Sequence, residues 1–272
     1  MQTDTPIERL PTYFISHGGG PWPWMKEQMG GVYDRLEAAL ARMPADIGRT
    51  PRAVLMLSAH WEAPQFTVQT NAAPPMLYDY GGFPEFTYRI QYPAPGAPDV
   101  AARVREALAV AGIESQEDAV RGFDHGMFAP MAVIYPDADV PVLQLSLKKG
   151  LVPDEHLALG RALAPLRDEG VLIVGSGLSY HNLRAFGPAA RAPSAAFDGW
   201  LESTLAIADA GTRSATLAAW ERAPSARLAH PREEHLLPLM VALGAAEAEA
   251  ATRVYHERDF FGGITVSSYR FG

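Results

Sequence analysis

The sequence predicts an α/β fold: a single domain over residues 1–272, with a central mixed, mostly parallel sheet flanked by helices. Three observations support this. Strand-length aliphatic runs alternate with segments whose apolar residues recur at three- and four-residue steps. Those runs are nearly continuous in hydrophobicity, as in strands covered on both faces. The chain is 48% hydrophobic and 20% charged, and no repeat or low-complexity linker divides it.

In chain order, strands are expected near residues 11–16, 53–58, 66–70, 140–147 and 171–175, with two more near 253–256 and 264–270. Helical spacing marks "EQMGGVYDRLEAALARM" and "APDVAARVREALAVAG". "DEHLALGRALAPLRDEG" reads likewise, with Asp154 as cap and Gly170 as stop. "PREEHLLPLMVALGAA" opens with Pro231 in a favoured first-turn position. Residues 65–98 break the rhythm. "NAAPPMLYDYGGFPEFTYRIQYPAPGAP" is rich in Pro, Gly and Tyr, and predicts a long ordered loop of the kind that forms lids and pocket walls.

Composition excludes several functions. A net charge of −8 and the lack of a Lys/Arg cluster argue against a nucleic-acid surface. The absence of cysteine removes disulfides, thiolate catalysis and Cys-ligated zinc together. No stretch reaches the ~18 apolar residues needed to cross a bilayer, and "MQTDTPIERL" is too polar for a signal peptide. A soluble cytoplasmic protein, without nucleic-acid or membrane partners, is the expectation.

The eight histidines carry the chemistry. His156, in an exposed-looking helix start, and His256, at the end of an edge strand, read as structural. His230 precedes a helix and reads as a cap or a satisfied surface residue. His17 in "TYFISHGGG", His60 in "VLMLSAHWE" and His181 in "VLIVGSGLSYHN" each lie at or just past the C-terminal end of an aliphatic strand, where open α/β sheets bind ligands. If those strands are neighbours the imidazoles converge, and imidazole is the commonest transition-metal ligand. His125 sits in a glycine-flanked turn before a helical run. His235 falls in the first turns of the final long helix beside Glu233 and Glu234. No H-E-x-x-H is present, so the helical zinc-protease signature fails. "HGGG" and "GLSYH" suggest an esterase, but a nucleophile elbow needs glycine where His181 stands, and Val174 spoils the same register for Ser176.

The ordered blocks "SHGGGP", "LSAHWE", "YDYGGFPEFTYRIQYPAPG", "RGFDHGMFAPM", "YPDADVPVLQLSL", "GSGLSYHNLR" and "EEHLLPLMVALGAA" resemble the LigB-type class III extradiol ring-cleavage dioxygenases, specifically their 4,5-DOPA extradiol dioxygenase-like branch. The resemblance runs from about Thr12 to the C-terminus. It implies a LigB-like, phosphorylase/hydrolase-like single domain and a metal-dependent enzyme that opens the ring of a catechol with O2, as a monomer or homodimer. It implies His17, His60 and His235 as metal ligands, with His181 either a fourth member of the metal shell or the acid/base. His125 would contact substrate and act with His181 in catalysis. Glu234 is the alternative third ligand, since the wider superfamily uses two histidines and a carboxylate. An all-histidine site suits Zn(II) as well as Fe(II), with Fe(II) the expected working metal. Asp124 would orient His125 or else face solvent. Tyr78, Tyr80, Phe83 and Tyr88 would supply a flat apolar wall, with Trp61 packed beside the site. Gly18–Gly20 and Gly81–Gly82 would allow close backbone approach, with Gly81 counted among the substrate contacts. The rival reading is a zinc-dependent hydrolase using the same histidines to activate water.

Overall fold

A computed structural model describes residues 9–272; most of the polar N-terminal stretch weighed as a leader lies outside the described residues. Eight strands form one sheet, in the order β4-β3-β5-β2-β6-β1-β8-β7. They are β1 Thr12–Ser16, β2 Ala53–Ala63, β3 Phe66–Gln69, β4 Ser115–Asp118, β5 Val142–Lys148, β6 Val171–Gly177, β7 Ala251–Phe260 and β8 Ile264–Phe271. The central strands β5, β2, β6 and β1 run parallel, and antiparallel β8 and β7 close one side. The sheet is therefore mixed with a parallel centre, as predicted. β6 is buried throughout, and "VLIVGSG" is apolar or small at each position, as required where both faces are covered.

Helices flank the sheet: α1 Asp34–Ile47, α2 Pro98–Val110, α3 His125–Ile134, α4 Pro153–Leu163, α5 Arg191–Leu205, α6 Ala210–Ala218, α7 Ala226–Ala229 and α8 Leu237–Gly244. Among the described residues, no helix is long and apolar enough to cross a membrane. Several expected boundaries shift for local reasons. α1 starts at Asp34, because Gly30 and Gly31 take positive φ in the preceding turns, and it runs on to a left-handed Gly48. Pro165 follows α4, and the chain tightens into a 3-10 turn that stops at left-handed Gly170. Asp154 lies in the first turn of α4 but does not cap it; the N-cap is Val152. Residues 231–236 are turns, so α8 opens with Pro238 in its first turn, and His235 stands before the helix.

Two histidine expectations are also corrected. His156 is fully buried, with Nδ1–H donated to the Val152 carbonyl and Nε2 accepting from the Lys148 amide. His230 is equally buried and bonds the Ser179 carbonyl through Nε2, so it is no surface residue.

Candidate metal centre

Five histidines meet beyond the C-terminal ends of the parallel strands. His17 follows β1 directly, and its amide bonds the Gly177 carbonyl at the end of β6. His60 lies within β2, where the register against β5 shifts between Leu57 and Glu62. Such an irregularity frees a strand to re-aim its side chains, and bulges concentrate near active sites. His125 is the first residue of α3, and His181 follows β6 by a short turn. His235 reaches the cluster because β6 carries glycine where the chain crosses it. A Cβ on Gly177 would stand 2.1 Å from the His235 carbonyl oxygen, while the Leu178 amide donates to that same oxygen at 3.1 Å. Gly126 serves His60 likewise: a Cβ there would meet Ser58 Oγ at 2.4 Å and His60 Cδ2 at 2.9 Å.

The hydrogen bonds fix which ring nitrogen faces inward. Ser176 Oγ donates to the Gly126 carbonyl, so it accepts from His17 Nδ1 at 3.1 Å and leaves the His17 Nε2 lone pair free. Asp79 Oδ1 accepts from both the amide and Nδ1 of His125, at 2.9 and 2.8 Å. Its other oxygen lies 3.5 Å from His60 Nδ1. Glu234 Oε1 lies 3.0 Å from His235 Nδ1 and 3.2 Å from His181 Nδ1. Each ring thus has a partner at Nδ1, the arrangement by which outer partners orient metal-binding histidines. His17 Nε2 and His60 Nε2 are 3.1 Å apart.

Burial, then mutual repulsion among the rings, drives His17 and His235 well below the ordinary imidazole range. His60 is pushed down to about 4, by burial first and then by the neighbouring His125. These rings are neutral near pH 7, the form that binds a metal. Burial alone would raise Asp79, but its hydrogen bond with His125 and the nearby imidazoles outweigh it and hold the carboxylate low. Glu234 follows the same balance, with burial opposed by the His181 contact.

This donor set fits a first-row divalent ion. One nitrogen each from His17, His60 and His235 lies within 4.8 Å of the other two. Neutral imidazoles aligned by outer acceptors are the nitrogen donors that iron or zinc takes. His181 is placed differently. Its ring stacks on His235 at 3.4 Å between centroids and 16° between planes. A lone pair lies in its own ring plane, so stacked rings cannot both aim at one ion. Glu234 contacts both rings at Nδ1, and its carboxylate, with His181 and His235, makes a further set of donor atoms within 4.8 Å of one another.

His17, His60, His125 and His181 line a cleft of about 400 Å³, together with Gly18–Gly20, Met29, Tyr33, Phe83, Leu183, Phe186, Phe260 and Phe261. Of the expected aromatic wall, Phe83 is in place. Tyr78, Tyr80 and Tyr88 are outside the lining: Tyr78 and Tyr80 donate to the Ile90 and Thr87 carbonyls of the long loop and Tyr88 packs against both, while Tyr80 also meets the His125 ring edge-on at 5.9 Å. Gly81 is exposed, with open space where a Cβ would stand, so the expected close approach is absent there. Asp124 neither faces solvent nor holds the His125 ring. It is fully buried and accepts from Ser58, Arg121 and Gln144. Trp61 is buried beneath the Arg121 guanidinium, outside the lining. Sequence reasoning missed Asp79 and the supporting role of Ser176. The only local hint of Asp79 was an acid between two tyrosines in a loop already marked as functional.

A family model described as the catalytic LigB subunit of aromatic ring-opening dioxygenase matches residues 11–272. The chain is 41% identical to a 4,5-DOPA dioxygenase extradiol of Beta vulgaris, covering 96% of each chain. It is 36% identical to the dioxygenase tasH of Hapsidospora irregularis, over 96% of this chain and 85% of that one. A 4,5-DOPA dioxygenase extradiol of Escherichia coli is 32% identical, over 97% and 95%. The crystal structure of an uncharacterized Escherichia coli protein superposes with a TM-score of 0.78 at 28% identity, covering 97% of this chain and all of the other.

Proposed function

The chain belongs to the LigB family of aromatic ring-opening dioxygenases, and from that premise we propose that it is a metal-dependent extradiol dioxygenase acting on a catechol, with His17, His60 and His235 as the metal ligands. The observation that carries this reading is the close approach of one nitrogen each from His17, His60 and His235, with His17 and His60 opening onto an aromatic cleft. Fe(II), the expected working metal, supplies acidification of the catechol hydroxyls and an electron path between ring and dioxygen when bound.

The chain's own residues handle orientation and protons. The apolar walls hold the ring flat and keep bulk water from the reacting carbons. His125, fixed at Nδ1 by Asp79, turns its other nitrogen to a catechol oxygen. His181 takes a proton from a catechol hydroxyl and returns it as the ring opens; its stacking on His235 favours this role over ligation. Overall, one ring carbon–carbon bond beside the diol breaks, and both dioxygen atoms enter the product, one in a new carboxylate and one in a new aldehyde. The ring supplies the four electrons, and no other reductant is consumed.

The test is anaerobic Fe(II) loading followed by a panel of catechols, recording oxygen uptake and the yellow semialdehyde together. One dioxygen consumed per semialdehyde supports the reading. No uptake with iron verified in the protein would refute it, and hydrolytic activity of the zinc form without oxygen uptake would establish the rival.

A further inference from the structure

We infer that this cleft selects catechols carrying an uncharged, apolar substituent, and that Leu183, Phe186 and Phe261 make the selection; the inference rests on the ring-cleavage reading above. Among the described residues, no lysine, arginine, aspartate or glutamate lines the cleft. The nearby cations are engaged elsewhere. Arg121 pairs with Asp124, Arg191 with Asp259, and Arg232 with Glu62 and, at 3.5 Å, with Glu234. Arg184, next to Leu183, is exposed and outside the lining. Apart from the metal ion that would be held there, the charges closest to the histidines are the carboxylates of Asp79 and Glu234, already engaged with the imidazoles. A substrate bearing a carboxylate or ammonium would have to desolvate it here without a partner, which is costly.

The mouth is also built to be apolar. Leu183 is 72% exposed, one of the few large hydrophobic side chains left in water. Phe261 sits at φ +50 in the turn joining β7 to β8, a left-handed conformation that bulky residues rarely adopt. Glycine would suit that backbone, yet the position carries a ring that meets Phe260 at 4.8 Å, Phe186 at 5.3 Å and Tyr33 at 5.7 Å. Strain held at a cleft mouth points to a use for the side chain. A volume of about 400 Å³ falls in the range of pockets (roughly 300–1,000 Å³) that take ligands larger than one small ring.

The experiment compares 4-alkyl- and 4-phenylcatechol with protocatechuate and DOPA on the Fe(II)-loaded full chain, by kcat/KM and by anaerobic equilibrium titration. At least about tenfold preference for the neutral catechols in both measurements is expected, a discrimination of the size that pocket contacts supply. Equal or better use of the charged catechols would overturn the inference while leaving ring cleavage intact, whereas failure with all four would remove its premise. In Leu183→Arg the ratio of carboxylated to neutral kcat/KM should rise at least about tenfold; an unchanged ratio would remove Leu183 from the selecting surface.

Discussion

The candidate site has two halves, each built on one carboxylate, and they differ in firmness. Asp79 joins His60, a proposed ligand, to His125, proposed to face substrate; Glu234 joins His235, a proposed ligand, to His181, the proposed acid/base. Asp79 uses both oxygens and anchors the His125 backbone as well as its ring. Glu234 shares a single oxygen between two stacked rings, while its second oxygen is buried without a hydrogen bond, 3.5 Å from Arg232. The Asp79 half is locked, and the Glu234 half has slack. That slack falls at His181, the proposed proton carrier. His17 belongs to neither half and relies on a neutral hydroxyl, Ser176.

Four substitutions test that division. The largest effect is expected from His17→Ala, which removes one of the three proposed ligands: metal analysis should show the ion lost and turnover abolished. His181→Ala should cut turnover by about 10²–10⁴-fold with the metal retained, the scale of general acid–base catalysis. Loss of the ion in that variant would make His181 a ligand instead. Asp79→Asn should weaken metal affinity and turnover together by about 10–100-fold, and Glu234→Gln by less. Equal losses in the two carboxylate variants would erase the difference between the halves.

The smallest effect lies outside the site. His156, with an ordinary value of 6.5, is pushed down to about 4 by burial. Its folded value is therefore below its unfolded one, so its stability contribution is complete above 6.5 and is lost as pH falls towards 4. Urea titrations should show this one group costing about 2 kcal/mol between about pH 7 and pH 5. In His156→Gln that increment should vanish; an unchanged slope would assign acid lability to other groups.

The strand-end histidines were legible because continuous aliphatic runs reveal central parallel strands, and such strands deliver their following residues to one edge. β4 was not, because "SQED" is polar and its side chains are half-buried or exposed, so no periodicity marks it. α5 to α7 also went unread. Asp79 was hidden because its partners are distant in sequence and the aromatic residues around it suggested wall-building. Ser176 was judged only as a failed nucleophile. It is His17 Nδ1, brought across from β1, that shows why a hydroxyl is needed there. Asp124 misled by adjacency: being next to His125 in the chain puts its carboxylate under β2, away from the ring.

The proton positions on His17, His60 and His235 bear on how the ion would be taken up. An imidazole near its ordinary value of about 6.5 is mostly protonated at pH 6, so a site of such rings expels hydrogen ions when a cation loads there. Here burial holds all three imidazoles low, so filling the site at about pH 6 should release few hydrogen ions into a weakly buffered sample. Its apparent affinity should likewise be nearly flat from neutral to mildly alkaline conditions.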